Sequence, residues 1–255
     1  MIKDILVCIE GSPGTERAID LALELAREHG ARLVGLVISD EADVRGGVDE
    51  RLAQLEARGQ AAGVVARTLE LRGPPAAKIL EEMTAHDLTI LARNASFLVE
   101  DSGQDKGVET RDNVLHHARK PVILVPEEPA RAGHDVLIAY DGSSAAKRAV
   151  TSFAESGLAQ GRTVHVTSMN DDGEQAWEMA SRGVELLRER SIVAKPRSLV
   201  STLPIAEALL DLRRKLGAGL LVSGAYARSR LSEMIWGSVT RALIEKTPVP
   251  LFLHH

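Results

Sequence analysis

The 255 residues contain one cysteine, Cys8, set inside the apolar run ILVCI. A lone thiol cannot close an internal disulfide, so the fold is expected to rest on burial alone in a reducing compartment, with the cytoplasm as the expected location. Its apolar neighbours mark Cys8 as a small buried hydrophobe, not a reactive thiol. Aromatic residues make up only 3% of the chain, too few for a base-stacking surface. No apolar run approaches the roughly 20 residues of a membrane-spanning helix, and the stretch before Glu10 is too short for a secretory signal. Positive charge is not in excess either: 31 Lys and Arg are interspersed with 36 Asp and Glu, for a formal net charge of −5. Without a basic stripe, nucleic acid is excluded as a partner. Gly-x-Ser-x-Gly, Walker, Cys-x-x-Cys and His-Glu-x-x-His patterns are all missing. His116 and His117 are adjacent on a helical pattern and diverge by about 100°, a poor chelating geometry. No catalytic residue and no metal ligand is assigned.

What is present is a 44% apolar chain that is written twice. Asp4 to Ser12, DILVCIEGS, lies over Asp135 to Ser143, DVLIAYDGS, so that Glu10 faces Asp141. DLTILARNA from Asp87 lies over GLLVSGAYA from Gly219, and KPVILV from Lys120 over TPVPLF from Thr247. A repeat this long signals duplicated domains, not a solenoid. The halves divide into domains 1–128 and 134–255, joined by the polar, proline-bearing stretch PEEPARAGH. In each half short β-branched runs alternate with amphipathic ones, the βαβ signature of a parallel sheet. The first-half strands read ILVCI, RLVGLVI, VVARTLE, LTILA and VILVP, and the second-half strands VLIAY, TVHVTSM, KPRSLV, LLVSG and VPLFL. After the first strand, Ala18, Ile19, Ala22, Leu25 and Ala26 form one helical stripe that Gly30 ends. The expected fold is therefore α/β: two similar doubly wound domains, each a five-stranded parallel sheet with helices on both faces. The two are expected to be related by a pseudo-twofold axis as an intrachain pseudo-dimer, with homodimerisation of the chain left open. Ligands of such sheets bind beyond the carboxyl ends of the strands, near the switch in strand order.

A first strand ending in YDGS, a fourth ending in SGAYA, a later GSVT and a closing TPVPLFL together resemble the universal stress protein family, in its tandem form. The resemblance covers nearly the whole chain. It implies cytosolic stress response and, in ATP-binding members, a loop of Gly, two residues, Gly, nine residues, then Gly with Ser or Thr. That template falls on Gly224, Ala227, Gly237 and Ser238, with alanine in place of the second glycine. The acidic residue that contacts ribose would be Asp141. Gly142, Arg228 and Val239 complete the candidate cofactor-binding set. The loop works physically because glycine lets backbone N–H groups approach phosphate and a helix N-terminus presents free donors. Ser238 is equally readable as a plain N-cap, and Gly224 as close strand packing.

From Gly224 to Arg241 the charges are Arg228, Arg230 and Arg241 against Glu233, a net of +2. The matching first-half segment, Arg93 to Asp112, carries three basic and five acidic residues, a net of −2, with Ala92 and Ala95 at the first two glycine positions. Binding of ATP or AMP, where retained, is thus expected in the second domain alone. No base is positioned for more than weak ATP hydrolysis, so an enzyme is not expected. The alternative is a module for a protein partner or a small non-nucleotide ligand that uses the paired-domain scaffold.

Overall fold

A computed structural model describes residues 1–10, 12–39, 48–95, 106–225 and 237–254. The chain divides into two compact units, Met1–Glu128 and Pro129–His255. The first holds β1 (Asp4–Cys8), α1 (Pro13–His29), β2 (Arg32–Ser39), α2 (Val48–Ala62), β3 (Ala66–Arg72), α3 (Pro75–Glu82), β4 (Leu88–Ala92), α4 (Lys106–His117) and β5 (Val122–Val125). The second holds β6 (Val136–Ala139), α5 (Ser144–Ser156), β7 (Val164–Met169), α6 (Gly173–Arg188), β8 (Ala194–Leu199), α7 (Ile205–Leu216), β9 (Leu220–Gly224), α8 (Ser238–Lys246) and β10 (Leu251–His254). All ten expected strands are present, each displaced by no more than two residues.

Within the first unit the strand order is β3-β2-β1-β4-β5, and within the second β8-β7-β6-β9-β10. The pairings inside each unit are parallel. The first three strands of each unit step one way from the centre, and the last two step the other. Right-handed crossovers then place the first two helices of a unit on one face and the last two on the other. In keeping with this, α1 packs on α2 and α3 on α4, while α5 packs on α6 and α7 on α8.

Burial follows position in the sheet. β4 and β5 are buried along their whole length, as strands covered on both faces must be. β3 and β8 have no buried residue, and β8 carries Lys195, Pro196 and Arg197, residues that blunt an open edge. In α1 the five residues of the expected stripe are all buried, and Gly30 takes the left-handed conformation (φ 62°) with its N–H on the Ala26 carbonyl. The second unit is centred on Phe153 and Phe252, fully buried and packed edge to face with centroids 6.0 Å apart.

Candidate nucleotide-binding cleft

The strand order of the second unit reverses between β6 and β9, and a cavity of about 480 Å³ opens at their carboxyl ends. Chain geometry after β6 fixes its near wall. Asp141 follows Tyr140, Gly142 turns the chain at φ +78°, and Ser143 starts α5. The Asp141 carboxylate accepts the Ser143 N–H at 2.9 Å, and the Ser143 hydroxyl accepts the Ala146 N–H at 3.1 Å. This pair of local bonds holds the carboxylate at the cleft with its second oxygen unpaired among the described residues.

The far wall is the start of α8. Gly237 is the N-cap, with extended backbone (φ −56°, ψ 137°) and no side-chain cap, which leaves the first-turn N–H groups to water or a ligand. Ser238 is the first helical residue, one position inside the N-cap role that the sequence allowed. Gly237, Ser238, Val239 and Thr240 all border the cavity. A Cβ added to Gly237 would meet nothing within 4 Å, so its bareness keeps cleft space open.

Gly224 also borders the cavity, but its missing side chain has a different cause. A Cβ there would come within 2.6 Å of the Ala146 nitrogen and 2.7 Å of the Ala145 carbonyl carbon, so β9 and the first turn of α5 pack backbone to backbone. The expected residues Asp141, Gly224, Gly237, Ser238 and Val239 thus come together around one cavity. Gly142 lies behind it as the turn residue, its Cα side closed by Met179. Ala227 and Arg228 lie outside the described residues.

Sequence reasoning missed the remaining wall. Thr167, Ser168, Met169 and Asn170 at the end of β7 border the cavity, as do Gln175, Met179 and Arg182 of α6 and Ile205 and Leu209 of α7. The strand-end rule, applied to β7 as well, is the signal that finds the residues there. Nothing in the sequence pointed to Arg182, three turns into a helix. Asp172 caps α6 by accepting the Glu174 N–H at 2.8 Å, and its other oxygen accepts from the Gln175 amide at 3.1 Å. Asn170 donates to the Gln175 side-chain oxygen at 3.4 Å, so both amides are held at the cleft rim.

The same place in the first unit is built differently. Both the Ser12 hydroxyl (2.6 Å) and the Thr15 hydroxyl (2.8 Å) donate to one oxygen of Glu10, which turns that carboxylate onto the first turn of α1. The register that lays Lys120 over Thr247 lays Arg111 over Ser238. Yet α4 already begins at Lys106, so Arg111 is a helix-interior residue and no helix start faces this position. Arg111 is 7% exposed and its guanidinium donates to the Arg93 carbonyl at 2.9 Å and to Asp112 at 2.8 Å. Burial and the nearby Arg111 guanidinium push the Arg93 pKa down. A fixed cation thus stands where the second unit offers free N–H groups.

The family model described as the universal stress protein family matches residues 1–126 and again residues 134–255. The chain belongs to the universal stress protein family. Among relatives, a universal stress protein of Synechocystis is 23% identical over 142 residues, 55% of this chain and 48% of that protein, so the match spans about half of the relative's length. A universal stress protein from Archaeoglobus fulgidus superposes with a TM-score of 0.73 at 18% identity, covering 98% of this chain and 97% of the other. A putative universal stress protein from Pseudomonas aeruginosa gives 0.66 at 20% identity, covering 99% and 92%. At these identities the solved structures show the fold. Among the described residues, no helix is long and apolar enough to cross a membrane, and no group of three or more His, Cys, Asp or Glu is placed to hold a metal.

Proposed function

We propose that this universal stress protein acts in stress response by binding one adenine nucleotide, ATP or AMP, per chain in its second unit. The supporting observation is the convergence of Asp141, Gly224 and the uncapped start of α8 on one cavity at the strand-order switch. Its volume of about 480 Å³ falls within the roughly 300–1,000 Å³ usual for small-molecule sites. Asp141 accepts ribose hydroxyls, and the α8 N–H groups take phosphate, where the helix dipole adds to the hydrogen bonds. The first unit is the structural half, since Glu10 is held by Ser12 and Thr15 and Arg111 fills the matching position. Binding without turnover is the expected chemistry, with Asp141 committed to the Ser143 N–H and to ribose.

Calorimetry with AMP and with ATP tests this reading. One site per chain is expected, weakened at least about tenfold by Asp141→Ala, or about 1.4 kcal/mol, and further by Gly237→Val. Two equivalent sites would overturn the assignment to one unit. Absence of binding for both nucleotides would leave the scaffold to a protein partner or another small ligand.

A further inference from the structure

One corner of the cleft is unused by the contacts assigned above. Tyr140 is 4% exposed, and its ring lies over Gly183 of α6, where an added Cβ would meet ring carbons at 3.0 and 3.1 Å. It borders the cleft, yet its hydroxyl has no hydrogen-bond partner among the described residues, although the Tyr140 carbonyl accepts the Ser168 hydroxyl at 2.6 Å. The hydroxyl is not among the buried unpaired atoms, so it is open to water or to a ligand acceptor at the cleft. Arg182 of α6, an exposed residue, borders the same cavity as Glu178 one turn earlier and makes no hydrogen bond or ion pair among the described residues. Burial and Asp141 raise the Tyr140 pKa while Arg182 lowers it, so both charged groups lie near the phenol.

We propose that Tyr140 and Arg182 form a second anion subsite at the ribose end of the cleft, and that the preferred ligand is an adenine nucleotide carrying a further phosphate on its ribose. This rests on the nucleotide reading above. One phosphate cannot serve both anchors, because α6 and α8 cover opposite faces of the sheet. In dinucleotide-binding folds the residue type that accommodates a ribose phosphate beside the ribose-binding position is arginine. Its planar fork grips phosphate in two bonds, and the phenol supplies a third donor. Asp141 has one oxygen committed to the Ser143 N–H and keeps the other for the remaining ribose hydroxyl.

The test compares AMP with adenosine 3′,5′-bisphosphate and adenosine 2′,5′-bisphosphate by calorimetry on the full chain. Wild type should bind one of the bisphosphates at least about tenfold tighter than AMP, the gain expected of a charge-assisted phosphate contact. Tyr140→Phe and Arg182→Gln should each remove most of that preference and leave AMP affinity within about twofold. Neither variant gives up a hydrogen bond or ion pair within the described residues, so circular dichroism should show an unchanged fold. AMP binding without preference for either bisphosphate overturns this subsite alone, as does an equal loss for all three ligands in the variants. Absence of binding for all three removes the subsite together with the nucleotide reading beneath it.

Discussion

Introducing a methyl group at Gly224 separates the two reasons for which a glycine can stand at a nucleotide cleft. In Gly224→Ala the new Cβ would lie 2.6 Å from the Ala146 nitrogen, so the first turn of α5 must retreat by roughly 0.8 Å to restore ordinary contact. Overpacking of this kind costs about 1–3 kcal/mol, offset by roughly 0.4–1 kcal/mol from the stiffer unfolded chain. The net expectation is a loss of about 1–2 kcal/mol, or some 2–8 °C in Tm for a unit of this size. The first unit shows how the contact is relieved. There the strand residue is Ala92 and the facing helix residue is Gly14, whose Cβ position lies 3.0 Å from the Ala92 methyl. The two units therefore omit the methyl from opposite partners of one contact, and Gly14 corresponds to Ala145. Ala145→Gly alone should destabilise the α5 start by about 0.5–1 kcal/mol. Combined with Gly224→Ala it should add to the loss without relieving it, because the atoms that a Cβ at 224 meets are the backbone of Ala145 and Ala146, which Ala145→Gly leaves in place. Urea unfolding followed by tryptophan fluorescence reports this unit, since both tryptophans, Trp177 and Trp236, lie in the second half. An unchanged midpoint for Gly224→Ala would refute the packing account and return Gly224 to the ligand alone.

Three further outcomes are expected. Arg32 holds Asp4 through two bonds of 2.6 and 2.8 Å, and its hydrogen bond lowers the Asp4 pKa below the ordinary 3.8. That contribution is present above the unfolded value of 3.8 and is lost as pH falls through the lower folded value, so the Tm gap between wild type and Arg32→Ala should be constant near neutrality and close in stronger acid. Cys8 is buried and its thiol is pushed far up by desolvation, with Glu10 adding to the effect. Iodoacetamide at pH 8 should label it only after denaturant is added, and fast labelling of folded protein would contradict the burial. Asp172→Ala removes the α6 cap and should cost about 1 kcal/mol by urea unfolding, while Asp172→Ser should recover most of it.

The ten strands, their parallel sense and the division into two halves were legible in the sequence because β-branched runs, helical stripes and caps such as Gly30 are local signals. The duplication made them legible twice. The carboxyl-end rule also pointed to Asp141 and Gly224, since strand ends can be counted from the chain, whereas Gly237–Val239 came from the family resemblance. Tertiary structure alone decided the rest. Whether Gly224 yields space to a phosphate or to α5 depends on how closely a helix seventy-odd residues earlier is seated, a distance that no local pattern encodes. Glu10 and Asp141 differ by one methylene, but what separates them is that Ser12 and Thr15 donate to the first, whereas the second receives one backbone N–H. Ala92 and Gly224 look in the sequence like a lost and a kept phosphate glycine; in three dimensions they are two solutions to the same strand–helix contact. Arg182 reached the cleft only because Gly183 lets α6 lie close against Val166 and Tyr140, a contact between elements that the chain brings together only on folding.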